Sequence, residues 1–308
     1  MKLQEAGERK IIEKIKSIVR RKKGMIADFD DDAAIFTLKE GNYAVTTDMG
    51  LMSTHFLTEN PEKIGRKIVT ANVTDLLCKG AIPEYMLVSI GLQRHVELEF
   101  VERMYIAMDK ELKKYGAYII GGDTNKAEEF VYSITMIGGV IKPLLRAGAK
   151  EGDYVVVTGQ IGNASAGYIT LKNNLKGEKA FIDAQLEPKI DFKLCRKLIP
   201  QANAGVDISD GLGHELGEVA RLSKKKIVLD WNSLPMHPKL PEFCEKNGLN
   251  IMDILFHHGE DYQVVYTTPN PAGGHVIGRV SEGSGVFLLK DGKEQKIEPR
   301  GYEHFRSN

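Results

Sequence analysis

The sequence predicts an α/β or α+β fold, because segments of strand character alternate with helical segments along its 308 residues. A second observation divides the chain. Residues 141–153 contain Pro143, Gly148 and Gly152, and they separate two stretches that each look self-sufficient. We therefore expect two domains, residues 1–140 and residues 141–308, a number that this chain length allows.

The elements of the first half follow from apolar spacing and from helix-end residues. Isoleucines recur at helical spacing within residues 1–20, which predicts an amphipathic helix. Another helix begins at Asn60 and Pro61, a favourable N-cap followed by a first-turn proline, and ends at Gly80. The other predicted elements are, in order, strands at 43–47 and 84–92, a helix at 97–115, and strands at 118–120 and 131–140.

The second half shows the same alternation with shorter elements. A small-residue helix starts at Ala164 after a glycine turn, and a second helix occupies residues 211–222. Proline and histidine residues predict a loop at 235–241. Strands are predicted at 154–158, 204–208, 226–229, 263–267 and 274–280.

Composition limits the class of protein. Lys+Arg and Asp+Glu are both 42, and this zero net charge argues against nucleic acid as the main partner. The three cysteines form no C-x-x-C pair, which favours a reduced, cytoplasmic protein. No apolar run approaches the ~20 residues of a membrane span, and the N-terminal helix does not resemble a signal peptide. We expect no membrane partner.

Carboxylates gather near the ends of the apolar segments. They are Asp30, Asp31, Asp32, Asp48, Asp75, Asp123, Asp207, Asp210, Glu260 and Asp261. Taken singly, each has an ordinary explanation: Asp75 is four residues before Lys79 on a helix, and Asp210 is a favourable N-cap. Brought together they would repel, and Mg²⁺ relieves such repulsion while bridging to phosphate oxygens. The joint pattern therefore indicates metal-assisted phosphate chemistry.

Glycine motifs leave the nucleotide question open. Gly121 and Gly122 follow a predicted strand and either admit a phosphate to the backbone or simply form a tight turn. Neither a P-loop nor a protein-kinase motif occurs, and H-E-x-x-H and G-x-S-x-G are absent as well. Zinc hydrolysis and a serine nucleophile are thus disfavoured.

A series of motifs runs in order through nearly the whole chain. They occupy residues 31–34, 46–48, 55–56, 72–76, 79–83, 121–124, 146–153, 157–159, 207–212, 259–262 and 301–305. Their order and spacing together resemble the thiamine-monophosphate kinase family. The resemblance implies the two-domain PurM-like fold of the aminoimidazole-ribonucleotide synthetase superfamily. In that fold an N-terminal sheet pairs across a homodimer into a barrel, and an α+β domain follows.

The resemblance also implies an activity and its ligands. The N-terminal domain would bind ATP and Mg²⁺ and form the dimer. The γ-phosphoryl group of ATP, the co-substrate, would pass in line and directly to thiamine monophosphate, giving thiamine diphosphate without a covalent enzyme intermediate. Several Mg²⁺ ions would assist, since charge neutralisation and positioning are most of such catalysis.

The resemblance assigns roles to particular residues. Those implied to hold Mg²⁺ are Asp32, Thr46, Thr47, Asp48, Asp75, Asp123, Asp207 and Asp210. Those implied to bind ATP are Tyr105, Gly122, Asp123, Arg146 and Ser209. Those implied to face thiamine monophosphate are His55, Glu260 and Tyr302. Arg146 is suited to its role because a guanidinium group binds phosphate through two parallel hydrogen bonds.

Two departures and three alternatives accompany the resemblance. Residues 28–30 lack the glycines that usually precede the first aspartate pair, and His258 stands where glycine is common. Selenophosphate synthetase would require a reactive cysteine near the N-terminus, but the first is Cys78. Hydrogenase-maturation dehydratase would require a C-terminal cysteine, but the chain ends at Asn308. A nucleotide-binding regulatory dimer without catalysis is the third alternative.

Overall fold

A computed structural model describes residues 1–26 and 33–302 of the chain. Internal contacts divide these residues into two compact units. The first comprises Met1–Leu76 and Ala81–Val140, and the second comprises Leu77–Gly80 together with the chain from Ile141 onward.

The first unit contains a four-stranded sheet and four helices among its described residues. In chain order its elements are α1 Leu3–Ile18, β1 Tyr43–Leu51, α2 Met52–His55, α3 Pro61–Cys78 (whose last two residues belong to the second unit), β2 Ala81–Leu92, α4 Leu98–Tyr115, β3 Tyr118–Lys126 and β4 Val131–Val140. The strand order is β1-β4-β2-β3. Strand β4 is antiparallel to both β1 and β2. Strands β2 and β3 are parallel, and α4 provides the crossover that parallel strands require.

The two faces of this sheet differ in burial. On one face, which α3 covers through Leu76, the β4 side chains of Ile134 and Met136 are fully buried. On the opposite face Val45 and Met49 are 64% and 67% exposed. Because side chains alternate along a strand, each of β1 and β4 contributes one residue in two to this open face.

The second unit contains a seven-stranded mixed sheet with helices. Its elements are β5 Tyr154–Val157, α5 Asn163–Lys172, α6 Lys179–Leu186, α7 Phe192–Leu198, β6 Ala204–Asp207, α8 Leu212–Ser223, β7 Lys226–Asp230, α9 Leu240–Lys246, α10 Ile251–Phe256, β8 Val264–Thr268, β9 His275–Ser281, β10 Gly285–Lys290 and β11 Lys293–Ile297. The strand order is β11-β10-β7-β9-β5-β8-β6. Helix α8 buries Leu212, Leu216 and Val219 in the core of this unit.

Three strand predictions were wrong in their bounds by three residues or more. Strand β2 begins at Ala81, three residues before its predicted start. Strand β1 continues to Leu51, because every residue from Tyr43 onward pairs with β4, so Asp48 lies within the strand and not at its end. Strand β3 continues to Lys126 by pairing with β2, so residues 121–124 are strand and not a turn. Strands β10 and β11 were missed, and β11 is polar and mostly exposed.

The fold class is confirmed as a two-domain α/β fold with mixed sheets. The barrel across a dimer stays a prediction. Within residues 1–26 and 33–302, no helix has the length and apolar character needed to cross a lipid bilayer.

Candidate functional site

Two carboxylates meet on the helix-covered face of the first unit. Strand β1 carries Thr46 and Asp48, and α3 carries Asp75. The hydroxyl of Thr46 donates a hydrogen bond to Asp75 Oδ2 at 2.8 Å. Burial, and then the negative charge of Asp75, raise the pKa of Asp48 to about 6. This pair fits a hard cation, which prefers oxygen ligands. The cation would offset the cost of burying the Asp48 charge and the repulsion between the two carboxylates.

Two other predicted magnesium ligands of the first unit lie on the opposite face of the sheet. Thr47 donates to the carbonyl of Ile134 at 2.8 Å and pairs in register with Thr135. Asp123, on β3, is exposed and its Oδ1 accepts the Thr124 amide at 2.9 Å. The structure therefore brings Asp48 and Asp75 together without Thr47 or Asp123. Asp32 lies outside the described residues.

The predicted ATP-binding residues of the first unit share a groove of about 640 Å³. It is lined by Tyr105, Gly122 and Asp123, with apolar walls from Ile12 and Ile120. A volume of this size suits a small-molecule ligand, and the mixed lining suits one with an apolar ring and polar substituents. Burial raises the pKa of Tyr105 above its usual range, so its hydroxyl stays protonated.

Gly122 has a packing role that the sequence did not indicate. A Cβ at this position would lie 1.9 Å from the carbonyl oxygen of Val88, on the adjacent strand β2. Only glycine allows this approach of the two strands at the groove.

His55 ends the short helix α2 and is half-buried. Its Nδ1 accepts the backbone amide of Leu51 at 3.1 Å, and its carbonyl oxygen accepts a hydrogen bond from Lys67 Nζ at 3.3 Å. The first contact fixes the ring orientation, with Nδ1 as the acceptor. Its predicted role toward thiamine monophosphate stays a prediction.

In the second unit, one loop joins three groups of predicted site residues. It follows β6 and runs from the buried Asp207 to Gly211, the N-cap of α8. Three backbone amides donate to its carbonyl oxygens: Glu260 to Ser209 at 2.8 Å, Tyr262 to Ile208 at 3.0 Å and Tyr302 to Asp210 at 3.0 Å. Predicted magnesium, ATP and substrate residues thus lie side by side in this unit.

The contact between this loop and residues 259–262 is very close. A Cβ on Gly259 would lie 1.7 Å from the carbonyl oxygen of Ser209. Glu260 and Tyr262 adopt left-handed φ angles of 66° and 46°. Such conformations cost about 1–2 kcal/mol each in a residue with a side chain. They persist where surrounding contacts impose them, which is common at functional sites.

Three hydrogen bonds fix the segment that carries Glu260. Asp261 accepts the amides of Gly162 at 2.7 Å and Ala164 at 3.1 Å, at the start of α5. Burial raises the pKa of Asp261 to about 7. Gln185, 1% exposed on α6, donates through Nε2 to Glu260 Oε2. Sequence reasoning missed Gln185, and no sequence signal pointed to it.

Arg146 lies in a short 3₁₀ turn and forms an ion pair with α8. Its Nη2 donates to Glu215 Oε2 at 3.2 Å. Burial raises the pKa of Glu215, whereas Arg146 opposes that rise. Possible ligand atoms of Asp210, His214 and Glu215 lie within 4.8 Å of one another, the only such His, Cys or carboxylate trio in the described part of the chain. His214 and Glu215 were not predicted as site residues.

Comparison with known proteins decides the family. Residues 30–140 match the family described as AIR synthase related protein, N-terminal domain, and residues 150–298 match its C-terminal domain. Over 315 residues the chain is 34% identical to the thiamine-monophosphate kinase of Aquifex aeolicus, covering 99% of this chain and 100% of that protein. The chain belongs to the thiamine-monophosphate kinase family. It is therefore an enzyme, a kinase, and the resemblance seen in the motifs is confirmed.

A second curated relative and two solved structures are also similar to the chain. The chain is 32% identical over 298 residues to the protein of Pyrococcus horikoshii, covering 91% of this chain and 94% of that one. A solved structure of AaThiL complexed with AMPPCP and TMP has a TM-score of 0.77 and 31% identity, with 99% of each chain covered. The hydrogenase maturation protein HypE of E. coli has a TM-score of 0.77 at 20% identity, covering 96% of this chain and 98% of that one, and shares the fold.

Proposed function

We propose that the chain transfers the γ-phosphoryl group of ATP to thiamine monophosphate in a Mg²⁺-dependent reaction, forming thiamine diphosphate and ADP. The observation that carries this is the match over 99% of the chain to a structure complexed with an ATP analogue and TMP. The second unit supports it, because backbone hydrogen bonds join Glu260 to Ser209 and Tyr302 to the next residue, Asp210.

The proposed reaction requires no covalent participation of the protein. The acceptor is a phosphate oxygen, which is already largely ionised near pH 7 because the second pKa of a phosphate monoester is about 6. No general base or protein nucleophile is therefore needed. The barrier comes from bringing two anions together in line, so positioning and charge neutralisation supply most of the catalysis.

The side chains divide these tasks in the proposed mechanism. Asp48 and Asp75 in the first unit, and Asp207 and Asp210 in the second, would hold Mg²⁺, which supplies positive charge to the phosphate oxygens when bound. Arg146 would orient a phosphate group of ATP through its guanidinium fork. The remaining groups would bind the two substrates: Tyr105, Gly122, Asp123 and Ser209 on ATP, and His55, Glu260 and Tyr302 on thiamine monophosphate.

The reaction itself is the first test. With ATP and Mg²⁺, the purified protein is expected to convert thiamine monophosphate to thiamine diphosphate and to release one ADP for each product molecule. Chromatography and mass spectrometry measure both products. Free thiamine is expected not to be phosphorylated, since the acceptor in the proposal is a phosphate oxygen. Phosphorylation of thiamine in place of thiamine monophosphate would show that the substrate assignment is wrong. ATP binding without ADP release would favour the regulatory dimer.

We also propose that the open face of the first unit forms a homodimer. Val45 and Met49 expose apolar side chains on that face, which is costly in water unless another surface covers them. Light scattering at micromolar concentration is expected to give twice the chain mass of 34.2 kDa. The double change Val45→Glu with Met49→Glu should shift the protein to monomer, whereas Glu128→Gln, at a 97% exposed side chain, should not. A monomeric wild-type protein would contradict this proposal.

A further inference from the structure

We propose that Glu215 is a positioning residue that holds the Arg146 guanidinium in the orientation needed to bind a phosphate group of ATP. The inference rests on the proposed function, which places Arg146 on ATP. The Glu215 side chain is 1% exposed, and its Oε2 accepts a hydrogen bond from Arg146 Nη2 at 3.2 Å. The Arg146 side chain is 39% exposed, so its guanidinium connects this buried carboxylate with the surface of the unit.

Helix α8 fixes the backbone of Arg146 as well as its side chain. The hydroxyl of Ser223, the last residue of α8, donates to the carbonyl of Arg146 at 2.9 Å and accepts the amide of Ala149 at 3.1 Å. Gly148 adds a close contact, since a Cβ there would lie 2.0 Å from the carbonyl oxygen of Asn203. With the backbone held at one end of α8, Glu215 near the other end sets the direction of the long side chain.

The arginine retains hydrogen-bonding capacity after this contact. Nη2 is used by Glu215, while Nε is buried and has no acceptor within residues 1–26 and 33–302. A guanidinium group has five donors in a fixed fork, so the ion pair leaves donors for an anion. Glu215 Oε1 also lies 3.5 Å from the hydroxyl of Ser209, the other ATP residue predicted in this unit. One buried carboxylate therefore contacts both.

Burial distinguishes this pair from an ordinary surface ion pair. Glu218 and Arg221 on the same helix form a pair whose side chains are 27% and 65% exposed, and such exposed pairs contribute little. A desolvated carboxylate needs its charged partner, because removing that partner leaves a buried charge uncompensated. The two oxygens of Glu215 face Arg146 and Ser209, which favours positioning over metal binding with Asp210 and His214.

The test compares Glu215→Gln with Glu218→Gln, a matched change on the same helix. Binding of AMPPCP with Mg²⁺ is measured by calorimetry, and KM and kcat are measured for both substrates. Glu215→Gln is expected to weaken AMPPCP binding and raise KM for ATP by about tenfold, since a charge-assisted hydrogen bond is replaced by a neutral one. KM for thiamine monophosphate should change by less than about twofold, and Glu218→Gln should match wild type.

A double-mutant comparison identifies the route of the effect. If Glu215 acts through Arg146, Glu215→Gln should add nothing to Arg146→Ala, because the side chain it orients is gone. Multiplicative losses in the double variant, or unchanged AMPPCP binding in Glu215→Gln, would overturn the inference. If Glu215→Gln does not fold, Glu215→Asp keeps the charge but withdraws it by one methylene, and the same nucleotide-specific loss is expected.

The binding assay also separates this inference from the proposed function. AMPPCP binding is measured without thiamine monophosphate, so it does not depend on the acceptor. Wild-type protein that binds AMPPCP but phosphorylates no thiamine monophosphate would contradict the proposed reaction only. Wild-type turnover together with normal AMPPCP binding in Glu215→Gln would contradict the positioning role only.

Discussion

Changing Asp48 to asparagine is expected to lower turnover by about 10²-fold or more while the protein stays folded. The shape of the side chain is kept, but one of the two negative charges that face each other across β1 and α3 is lost. If that pair holds Mg²⁺ against the transferring phosphoryl group, the loss corresponds to about 2.7 kcal/mol of barrier or more. Steady-state turnover across a Mg²⁺ titration measures it, and high Mg²⁺ should restore part of the activity.

Glu128→Gln is the matched control for this experiment. It also removes one negative charge from the first unit, but from a side chain that is 97% exposed. Its turnover should equal that of wild type at every Mg²⁺ concentration. If Asp48→Asn also keeps wild-type turnover at low Mg²⁺, the metal role proposed for Asp48 and Asp75 is wrong.

The same variant should show a pH-dependent gain in stability without metal. The pKa of Asp48 is raised from 3.8 to about 6, so between these values the folded state binds more protons than the unfolded state. The stability contributed by that proton is complete below pH ~4 and lost as the pH rises through about 6. In thermal melts without metal, the free energy of unfolding of Asp48→Asn should therefore exceed that of wild type at pH 8, by about 3 kcal/mol at most. Near pH 4 the two should be equal. Added Mg²⁺ should stabilise wild type at pH 8 more than the variant.

The sequence contains information about the proposed magnesium site that the predicted set of ligands did not take into account. Thr46, Thr47 and Asp48 are consecutive, and a strand places consecutive side chains on opposite faces. The structure accordingly puts Thr46 with Asp75 and Thr47 with Thr135. A strand prediction at these residues thus already separates Thr47 from its neighbours.

Glu215 offers a comparable signal. It lies on the apolar stripe of α8, three residues after Leu212 and one before Leu216, both fully buried. A charged residue on a buried stripe is rare unless it has a partner, so the helical pattern marks Glu215 as a candidate for a buried ion pair. The pattern cannot identify Arg146 as that partner, because their contact depends on how residues 146–148 pack against α8.

Other features depend on tertiary structure alone. Gln185 reaches Glu260 only because α6 packs beside the segment 259–262, and nothing in its local sequence indicates this. Residue preferences likewise do not predict the left-handed conformations of Glu260 and Tyr262, because they favour glycine at positive φ. Gly259 is visible in the sequence, but its close contact with the carbonyl oxygen of Ser209 is not. That contact predicts a large effect of a substitution on turnover.

Changing Gly259 to alanine is expected to reduce turnover by about 10²-fold or more, with a moderate loss of stability. The added Cβ would lie 1.7 Å from the carbonyl oxygen of Ser209 and 2.9 Å from Cα of Asp210, both backbone atoms that cannot rotate away. The segment carrying Glu260 must therefore separate from the loop carrying Ser209, and the 2.8 Å hydrogen bond between these residues should break. Overpacking of this kind costs about 1–3 kcal/mol of stability. Displacing groups that position substrates by about 1 Å costs about 10²-fold in rate.

Gly248→Ala separates this effect from backbone strain in general. Gly248 has a φ of 63°, but apart from its two chain neighbours no described residue has an atom within 4 Å of the point that a Cβ would occupy, so alanine there meets strain without a clash. It should cost about 1 kcal/mol of stability. Turnover should stay unchanged, since the added methyl group displaces no residue of the proposed site. Thermal melts and turnover for the two variants give the comparison. Equal turnover in Gly259→Ala and Gly248→Ala would show that the contact between residues 259–262 and the Ser209 loop does not position the substrates.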